Sequence, residues 1–303
     1  MSDDSNKQEE MIWLDGQFMG LMEAKSSVLS HALHYGTGVF EGIRVYKTSQ
    51  GVAIFRLCEH LERMKQGAQE LDINLNIDHL AKLIQELLTK SRMEYAYVRP
   101  IAFYGTGGLS LDVASNKPHL VVAILKWKSH LGDETDSKGV RLAISRWRRT
   151  PANSVPALKL CGAYVNSILA KLDASKRGFD EALFIDSYGW VCEATGENLF
   201  MVQKGEVIAC QHSDALPGIT RATVMELTGA KEKRLSREDL HLADEVFLTG
   251  TSAEITPVSS VEDQNYSMGP ITREIQDLYR KTVTGQIPKY EKWLTLVQKD
   301  ARR

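Results

Sequence analysis

A lysine with apolar neighbours is the first residue of this chain whose chemistry stands out. Lys159 lies between Leu158 and Leu160 in the stretch Pro156–Tyr164. Desolvation disfavours the charged form of a lysine, and a neutral amine is a nucleophile that condenses with an aldehyde to a Schiff base. The alternative is a surface lysine whose stem packs on the protein while its ammonium reaches water. The local sequence leaves both interpretations open.

Two further stretches carry donors that suit a phosphate or another anion. In Leu216–Arg221, a proline and a glycine come just before a predicted helix, whose N-terminal N–H groups and dipole would face an anion. In Thr249–Glu254, two hydroxyl residues follow a predicted strand and supply side-chain and backbone donors. Ordinary capped helices and hydroxyl-rich turns have the same composition, so neither stretch is specific by itself.

Three predicted strands end in, or carry, charged side chains. Glu193 ends an apolar strand, where a carboxylate could hold the proton of a pyridinium ring, and Glu197 follows four residues later. Arg56 ends another strand and suits a phosphate. The alternation of a strand places Tyr97 and Arg99 on one face, where they could hold a carboxylate. Solvated carboxylates, a surface ion pair and a cross-strand pair are the structural alternatives.

Composition narrows the class of protein. The 303 residues are 43% hydrophobic and 25% charged with a net charge of −2, as in a soluble globular protein of one large or two ordinary domains. This charge gives no reason to expect a nucleic-acid or membrane partner. Four cysteines without CxxC spacing argue against a zinc site or another cysteine-ligated metal site, and against a disulfide framework. They fit a protein of the reducing cytoplasm.

The order of the elements predicts an α+β protein with two domains. Strands and helices mix without strict βαβ alternation, and helices are predicted over about 57–71 and 77–90. A polar, charged stretch after residue 127 has the composition of a linker. We therefore predict a disordered tail without a signal peptide (1–10), a small domain (11–127), a linker (128–138) and a large domain that contains Lys159 (139–303).

Taken together, seven stretches resemble the class IV, fold-type IV aminotransferases that use pyridoxal phosphate, and most of all the branched-chain amino acid aminotransferases. They are His34–Gly42, Phe55–Arg56, Tyr97–Pro100, the Lys159 stretch with Tyr164, Glu193–Phe200, Leu216–Arg221 and Gly250–Pro257. The resemblance runs from about Ile12 to the last helix. It implies a smaller α/β N-terminal domain and a larger, β-barrel-like C-terminal domain with flanking helices.

The resemblance also implies a role for each matching residue. Lys159 would bond to the coenzyme and move the substrate proton, Glu193 would face the pyridine nitrogen, and Tyr164 would meet the phenolic oxygen of the ring. The phosphate would be held by Arg56, Ile219, Thr220, Thr251 and Ser252. The substrate α-carboxylate would meet Tyr97 and the backbone from Thr251 to Ala253. The side-chain pocket would be lined by Tyr35, Phe40, Arg99 and Trp127.

The activity implied is transfer of the amino group between branched-chain L-amino acids and 2-oxoglutarate with ping-pong kinetics. Arg99 would meet the distal carboxylate of glutamate, and a homodimer or higher homo-oligomer would share active sites through the His31–Tyr35 region. The chain departs from the family pattern at His130, where bacterial members often carry a tyrosine that helps to bind that carboxylate. The preferred acceptor is therefore open, and a protonated His130 could partly replace that tyrosine below pH ~6.5.

Four other functions stay open at this point. D-amino acid aminotransferases, (R)-selective amine transaminases and aminodeoxychorismate lyases share the fold by resemblance, although the stretches Tyr97–Pro100 and Tyr35–Gly42 favour the branched-chain enzymes. A non-catalytic binder of pyridoxal phosphate would need only Lys159 and the phosphate site. Such a binder would leave Glu193 and Arg99 without a function.

Overall fold

The computed structural model describes residues 10–126 and 138–298, which divide into two compact units. The first unit contains residues 10–126, 159–162 and 282–298, and the second contains 138–158 and 163–281. The predicted tail and linker lie outside the described residues, apart from Glu10 and Lys138. Trp127 and His130, two predicted substrate residues, also lie outside them.

The described residues form strands that contribute to one sheet in each unit. The strands are β1 Met11–Leu14, β2 Gln17–Met19, β3 Gly38–Phe40, β4 Ile43–Thr48, β5 Gly51–Phe55, β6 Ala96–Tyr104, β7 Pro118–Lys126, β8 Val140–Ile144, β9 Glu181–Ile185, β10 Val191–Ala194, β11 Asn198–Gln203, β12 Glu206–Cys210, β13 Lys231–Lys233, β14 Glu245–Gly250, β15 Glu254–Val261, β16 Gln264–Asn265 and β17 Leu294–Leu296.

The helices lie between these strands or after them. The α-helices are α1 His31–Tyr35, α2 Leu57–Glu70, α3 Ile77–Ser91, α4 Tyr164–Lys176, α5 Ile219–Thr228, α6 Arg237–His241 and α7 Pro270–Val283, and a 3₁₀ helix covers Pro288–Trp293. The two helices predicted over 57–71 and 77–90 are thereby confirmed as α2 and α3. No helix within the described ranges is both long enough and apolar enough to cross a membrane.

The first unit is built on an antiparallel sheet with strand order β17-β5-β4-β6-β7-β1-β2, and β3 pairs with β6. Apolar residues recur at helical spacing on α2 and α3, so each helix buries one stripe in the same core as the inner face of the sheet. Asn76 caps the N-terminus of α3 by accepting a hydrogen bond from the His79 N–H (2.9 Å). β6 alternates fully buried with half-buried residues, so one of its faces is left for the site.

The boundary of the first unit differs from the predicted domains in two places. Lys159–Gly162 belongs to this unit, because Phe40 N–H donates to Lys159 O (3.2 Å) and Gly162 N–H donates to Gly36 O (3.0 Å). Residues 282–298 also belong to it, because β17 extends the sheet beside β5. A segment as short as Lys159–Gly162 causes no change of composition, so the sequence does not reveal that it belongs to the first unit.

The second unit has the strand order β10-β9-β8-β15-β14-β11-β12-β13, with β16 on β15. Its core is formed by the buried faces of these strands together with Leu235 and Leu240. Helix α4 packs on this sheet through Ala170 and Ala174, which lie in one buried cluster with Phe184. The mixture of helices with largely antiparallel sheets confirms the predicted α+β class.

Candidate active site

The segment that carries Lys159 is tied to strand β3 of the first unit. Leu160 forms an antiparallel bridge with Val39, on top of the hydrogen bond between Phe40 N–H and Lys159 O. A Cβ on Gly36 would lie 2.4 Å from Gly162 Cα, and Gly36 has φ 68°, so this close approach requires a glycine. The backbone of Lys159 is therefore fixed, while its half-buried side chain places Nζ 5.1 Å from the centre of the Phe40 ring.

The Phe40 ring also faces the pair of residues predicted on strand β6. Arg99 Nη2 donates to Tyr97 Oη (2.9 Å), and the guanidinium carbon lies 4.7 Å from the centre of the Phe40 ring. Arg99 Nε is shielded from solvent and has no hydrogen-bond partner within the described residues. The prediction that Tyr97 and Arg99 share one face of the strand is confirmed. The Phe40 ring therefore lies beside a cation that has one N–H without an acceptor among the described residues.

Gly42 makes room for the Tyr97 hydroxyl. A Cβ on Gly42 would lie 1.8 Å from Tyr97 Oη, so any side chain here would displace the hydroxyl that receives the Arg99 hydrogen bond. Only a glycine allows the tyrosine ring to lie against this part of the backbone.

Behind Phe40 lies a buried ionic cluster that the sequence did not reveal. Glu41 is fully buried and accepts two hydrogen bonds from Arg63, at 2.6 and 2.9 Å, and one from His60 Nδ1 at 2.8 Å. Burial would raise the pKa of Glu41, but the Arg63 guanidinium and His60 hold that pKa well below its usual range. Burial lowers the pKa of His60. The cluster anchors the turn after β3, the strand on which the Lys159 segment rests.

Arg56 lies at the predicted junction between a strand and a helix. It is a non-glycine residue in the left-handed region, with φ 50°, between the end of β5 and the start of α2. Its Nε lies 2.9 Å from Glu59 Oε1, and its guanidinium carbon lies 4.2 Å from the centre of the Trp293 ring. The side chain is therefore held in one place at a buried helix start.

In the second unit, Glu193 is a buried carboxylate surrounded by donors. Its Oε1 lies 2.7 Å from Arg149 Nε, and its Oε2 accepts from the Leu216 N–H (3.0 Å) and from Asn198 Nδ2 (3.3 Å). The positive charge of Arg149 and the two hydrogen bonds each favour the charged form of the carboxylate. Glu193 can thus keep a negative charge at a position that water hardly reaches.

Asn198 connects Glu193 to the start of helix α5, a role that no sequence pattern indicated. Its Nδ2 also donates to Leu216 O (2.9 Å), and a Cβ on Gly218 would lie 1.9 Å from its Oδ1. Asn198 faces Thr249 in the register of β11 with β14. The Asn198 amide thereby joins the carboxylate to the helix start, while the Asn198 backbone pairs with the strand that leads into Thr251 and Ser252.

Arg149 is a second residue that sequence reasoning did not select, although it lies in a run of arginines before Pro151. Asn166 on α4 fixes its loop by accepting from the Thr150 N–H (3.1 Å) and donating to Arg148 O (3.0 Å). Tyr164, the predicted partner of the phenolic oxygen, is the half-buried first residue of the same helix. The start of α4 therefore positions both Tyr164 and the arginine that holds Glu193.

The two predicted anion sites have the expected backbone form. Gly218 precedes α5 in an extended conformation and has no side chain to cap the helix, and Ile219 and Thr220 in its first turn are buried. The residues Thr251 to Ala253 form a three-residue hairpin loop between β14 and β15. Just before this loop, the buried Thr249 hydroxyl has no hydrogen-bond partner within the described residues.

Glu197 is a buried acid whose protonation should affect how the free energy of unfolding depends on pH. Burial and the nearby carboxylate of Glu181 raise the pKa of Glu197 to about 8, although Lys171 opposes the shift. Between pH 4.5, the ordinary value, and pH 8, the folded chain therefore binds a proton that the unfolded chain releases.

The free energy of unfolding should consequently fall as the pH rises from about 5 to 8, by up to about 1.4 kcal/mol per pH unit from this group. Glu197→Gln mimics the neutral acid, so the free energy of unfolding of this variant should depend less on pH. Urea unfolding of the parent and the variant at pH 5.5, 6.5, 7.5 and 8.5 measures this dependence. Parallel curves for the two proteins would show that Glu197 is already ionised when folded.

His31 and Tyr35 form hydrogen bonds with groups other than the predicted site residues. His31 is buried and bonded to Thr37 Oγ1 (2.8 Å) and Ser110 O (2.9 Å), which is a structural role. Tyr35 is 46% exposed, and its hydroxyl donates to Leu109 O (2.8 Å) rather than to Tyr97 or Arg99. Its role in a side-chain pocket stays a prediction.

The predicted residues therefore fall into two groups. The first unit contains Arg56, Lys159, Tyr35, Phe40, Tyr97 and Arg99. The second contains Tyr164, Glu193, Ile219, Thr220, Thr251, Ser252 and Ala253. Within the described residues, no group of three or more His, Cys, Asp or Glu side chains is arranged to hold a metal ion.

Comparison with known proteins gives a consistent result. The branched-chain-amino-acid aminotransferase of Pseudomonas aeruginosa is 37% identical over 299 residues, which cover 95% of this chain and 97% of that protein. The same enzyme of Escherichia coli K12 is 37% identical over 306 residues, which cover 97% of this chain and 99% of that protein.

Solved structures agree with the sequence relatives. The branched-chain amino acid aminotransferase of T.th., solved with pyridoxamine 5'-phosphate, has a TM-score of 0.90 and 43% identity, over 96% of this chain and 100% of that one. The Escherichia coli enzyme has a TM-score of 0.91 and 36% identity over the same shares. The expected two-domain aminotransferase fold is thereby confirmed.

A family model agrees with both comparisons and covers most of the described residues. The model for amino-transferase class IV matches residues 38–261, a range that includes Lys159, Glu193 and both predicted anion sites. With that match and relatives at 37% identity over nearly the whole chain, this protein belongs to the class IV aminotransferase family.

Proposed function

We propose that this chain is a branched-chain amino acid aminotransferase that uses pyridoxal phosphate. It would transfer the amino group between leucine, isoleucine or valine and 2-oxoglutarate in two half-reactions. The relatives and solved structures named above support the reaction class. The observation that carries the substrate class is the Phe40 ring with Arg99 beside it, since an apolar surface next to a cation suits both an alkyl and a carboxylate side chain.

The residues present fit the coenzyme by their chemistry. Lys159 offers an amine, and the uncapped start of α5 offers N–H groups to a phosphate, as does the guanidinium of Arg56. The unpartnered Thr249 hydroxyl beside the Thr251–Ala253 loop is, within the described residues, a buried polar atom that a ligand would satisfy. When bound, pyridoxal phosphate supplies an aldehyde and an electron-withdrawing ring.

The steps of each half-reaction can be assigned to residues of this chain. Lys159 Nζ would bond to the coenzyme, leave it when the substrate amine arrives, and then take the α-proton and return it on the coenzyme side. Glu193 would stay ionised and balance positive charge on the ring nitrogen, held in place by Arg149 and Asn198. Tyr164 would donate to the phenolic oxygen.

Substrate choice would depend on the exposed face of β6. A leucine side chain would pack on Phe40, while the distal carboxylate of glutamate or 2-oxoglutarate would accept hydrogen bonds from Arg99. Tyr97 would direct the guanidinium through the 2.9 Å hydrogen bond and also meet the α-carboxylate. One pocket would thereby serve both substrates of a ping-pong reaction.

Arg99→Ala should raise the KM for 2-oxoglutarate by at least about tenfold, because a charge-assisted hydrogen bond contributes roughly 1.5–3 kcal/mol. The KM for leucine should change much less, since leucine has no second carboxylate. Steady-state kinetics with each substrate varied in turn measures both values. Arg141→Ala, at an exposed ion pair with Asp180, is the matched control. Equal losses for both substrates would make Arg99 an α-carboxylate or structural residue.

A screen of amino donors and 2-oxo acid acceptors tests the proposed function as a whole. L-leucine should change the absorbance of the bound coenzyme, and 2-oxoglutarate should restore it. A response to D-alanine or to an (R)-amine alone would support the other aminotransferases of this fold. An unchanged spectrum with every donor would support a non-catalytic coenzyme binder.

We further propose that the enzyme is a homodimer or a larger homo-oligomer. The segment Val28–Tyr35 carries apolar side chains that are exposed to solvent, including Val28 (75%) and Leu33 (69%). The outer face of α4 also exposes Val165, Ile168, Leu169 and Leu172. Apolar surface of this kind is typical of an interface. Sedimentation equilibrium at a mass near 33.9 kDa, that of one chain, would contradict the proposal.

A further inference from the structure

The C-terminal part of the first unit holds the arginine that we assign to the coenzyme phosphate. Trp293 ends the 3₁₀ helix Pro288–Trp293, and the Arg56 guanidinium lies over its ring, with the guanidinium carbon 4.2 Å from the ring centre. The Trp293 carbonyl also accepts a hydrogen bond from the Arg56 N–H at 2.7 Å. One residue therefore contacts both the side chain and the backbone of Arg56.

Trp293 is itself rigidly placed. It is 5% exposed, stacks on Tyr290 with ring centres 4.5 Å apart, and meets Phe55 edge to face at 6.1 Å. The next residue, Leu294, pairs with Phe55 in the register of β17 with β5. The indole is thus fixed from the strand that ends immediately before Arg56.

The backbone of Arg56 needs such support. A non-glycine residue with φ near 50° is strained, and strain of this kind persists only where the surroundings determine the conformation. The Trp293 carbonyl supplies one fixed acceptor for this residue. Glu59, 44% exposed in its side chain, is a charged group that faces Arg56, with its Oε1 2.9 Å from Nε.

We infer that Trp293 is a positioning residue for coenzyme binding, which holds the Arg56 guanidinium in the orientation that binds the phosphate. A long arginine side chain loses rotamer freedom when it binds an anion, and a ring stacked on it in advance reduces that loss. The effect acts only through the phosphate. This inference rests on the proposed function, because it assumes that Arg56 binds that group.

A comparison of two ligands isolates this effect. Pyridoxal has the aldehyde and ring of pyridoxal phosphate but lacks the phosphate, so a residue that acts through Arg56 changes the affinity for pyridoxal phosphate alone. The full-length chain is freed of coenzyme and titrated with each ligand, and ligand absorbance gives both dissociation constants. Their ratio is insensitive to general damage, since both constants come from the same protein.

Trp293→Leu should lower the preference for pyridoxal phosphate over pyridoxal by about tenfold, equivalent to about 1.4 kcal/mol. Trp293→Phe keeps an aromatic face and should stay within about threefold of the parent ratio. Trp147→Leu, which removes an exposed indole that faces Arg146, should leave the ratio unchanged. Trp293→Met, whose unbranched side chain adapts more easily to the space left by the indole, replaces the leucine variant if that variant does not fold.

The outcomes separate this inference from the proposed function. Arg56→Ala should lower the ratio at least as far as Trp293→Leu, and an unchanged ratio in Arg56→Ala would remove Arg56 from the phosphate site. If Arg56→Ala lowers the ratio but Trp293→Leu does not, the inference about Trp293 is overturned. Equal weakening of both ligands in Trp293→Leu would likewise overturn it, because Trp293 would then be purely structural.

Discussion

Lys159→Ala should lower the transamination rate by at least about 10⁴-fold, the largest effect expected of any substitution in this chain. The change removes the amine that bonds to the coenzyme and also the group that moves the substrate proton. Positioned proton transfer alone contributes up to about 10⁴-fold. Single-turnover kinetics with L-leucine measures the loss independently of product release.

Three measurements show whether the loss comes from chemistry. The thermal midpoint of Lys159→Ala should stay close to that of the parent, because the backbone bonds to Gly36 and Phe40 hold the segment without the side chain. A small primary amine added to the solution should restore part of the activity. Lys65→Ala, at a partly exposed position on α2, should keep full activity. Activity of Lys159→Ala near that of the parent would remove Lys159 from the reaction.

Glu193→Gln should lower turnover by about 10²–10³-fold while the coenzyme still binds. The amide keeps the shape of the side chain but loses the charge that balances the ring nitrogen, and removal of one preorganised electrostatic contact has an effect of this size. Stability should also fall by about 3–5 kcal/mol, because Arg149 loses its partner in a buried pair. Turnover and urea unfolding are measured on the same preparations.

Glu197→Gln is the matched control for this variant, since it makes the same change at a neighbouring buried glutamate. Because the pKa of Glu197 is raised to about 8, this acid is already largely neutral at pH 7, and its amide should keep most of the turnover. The opposite pattern, with turnover lost only in Glu197→Gln, would transfer the ring-nitrogen role to Glu197.

Local patterns predicted the parts of the fold that short-range physics determines. The alternation in 96–104 placed Tyr97 and Arg99 on one face, and the apolar spacing in 57–71 predicted α2 nearly to the residue. In contrast, the sequence gives no clear signal for β15, because a proline such as Pro257 argues against a central strand. The structure places this proline in β15 opposite Phe247 of β14.

The supporting residues of the site were less accessible to sequence reasoning than the residues they support. Glu193 was visible because it ends an apolar strand, but Arg149 and Asn198 reach it from a loop and from another strand. His60 and Arg63 occupy the buried face of α2, where charged residues are unexpected, and only the distant Glu41 explains them. Such long-range pairings leave no periodic signal in a single sequence.

Borohydride reduction of the purified enzyme tests the central claim most directly. If Lys159 bonds to pyridoxal phosphate, reduction should fix the coenzyme irreversibly to the peptide that contains Lys159, and mass spectrometry after proteolysis should find it there. Prior treatment with L-leucine should prevent the labelling, because the substrate amine replaces Lys159. Coenzyme fixed to Lys171 or to another lysine, or labelling that L-leucine leaves unchanged, would contradict the account.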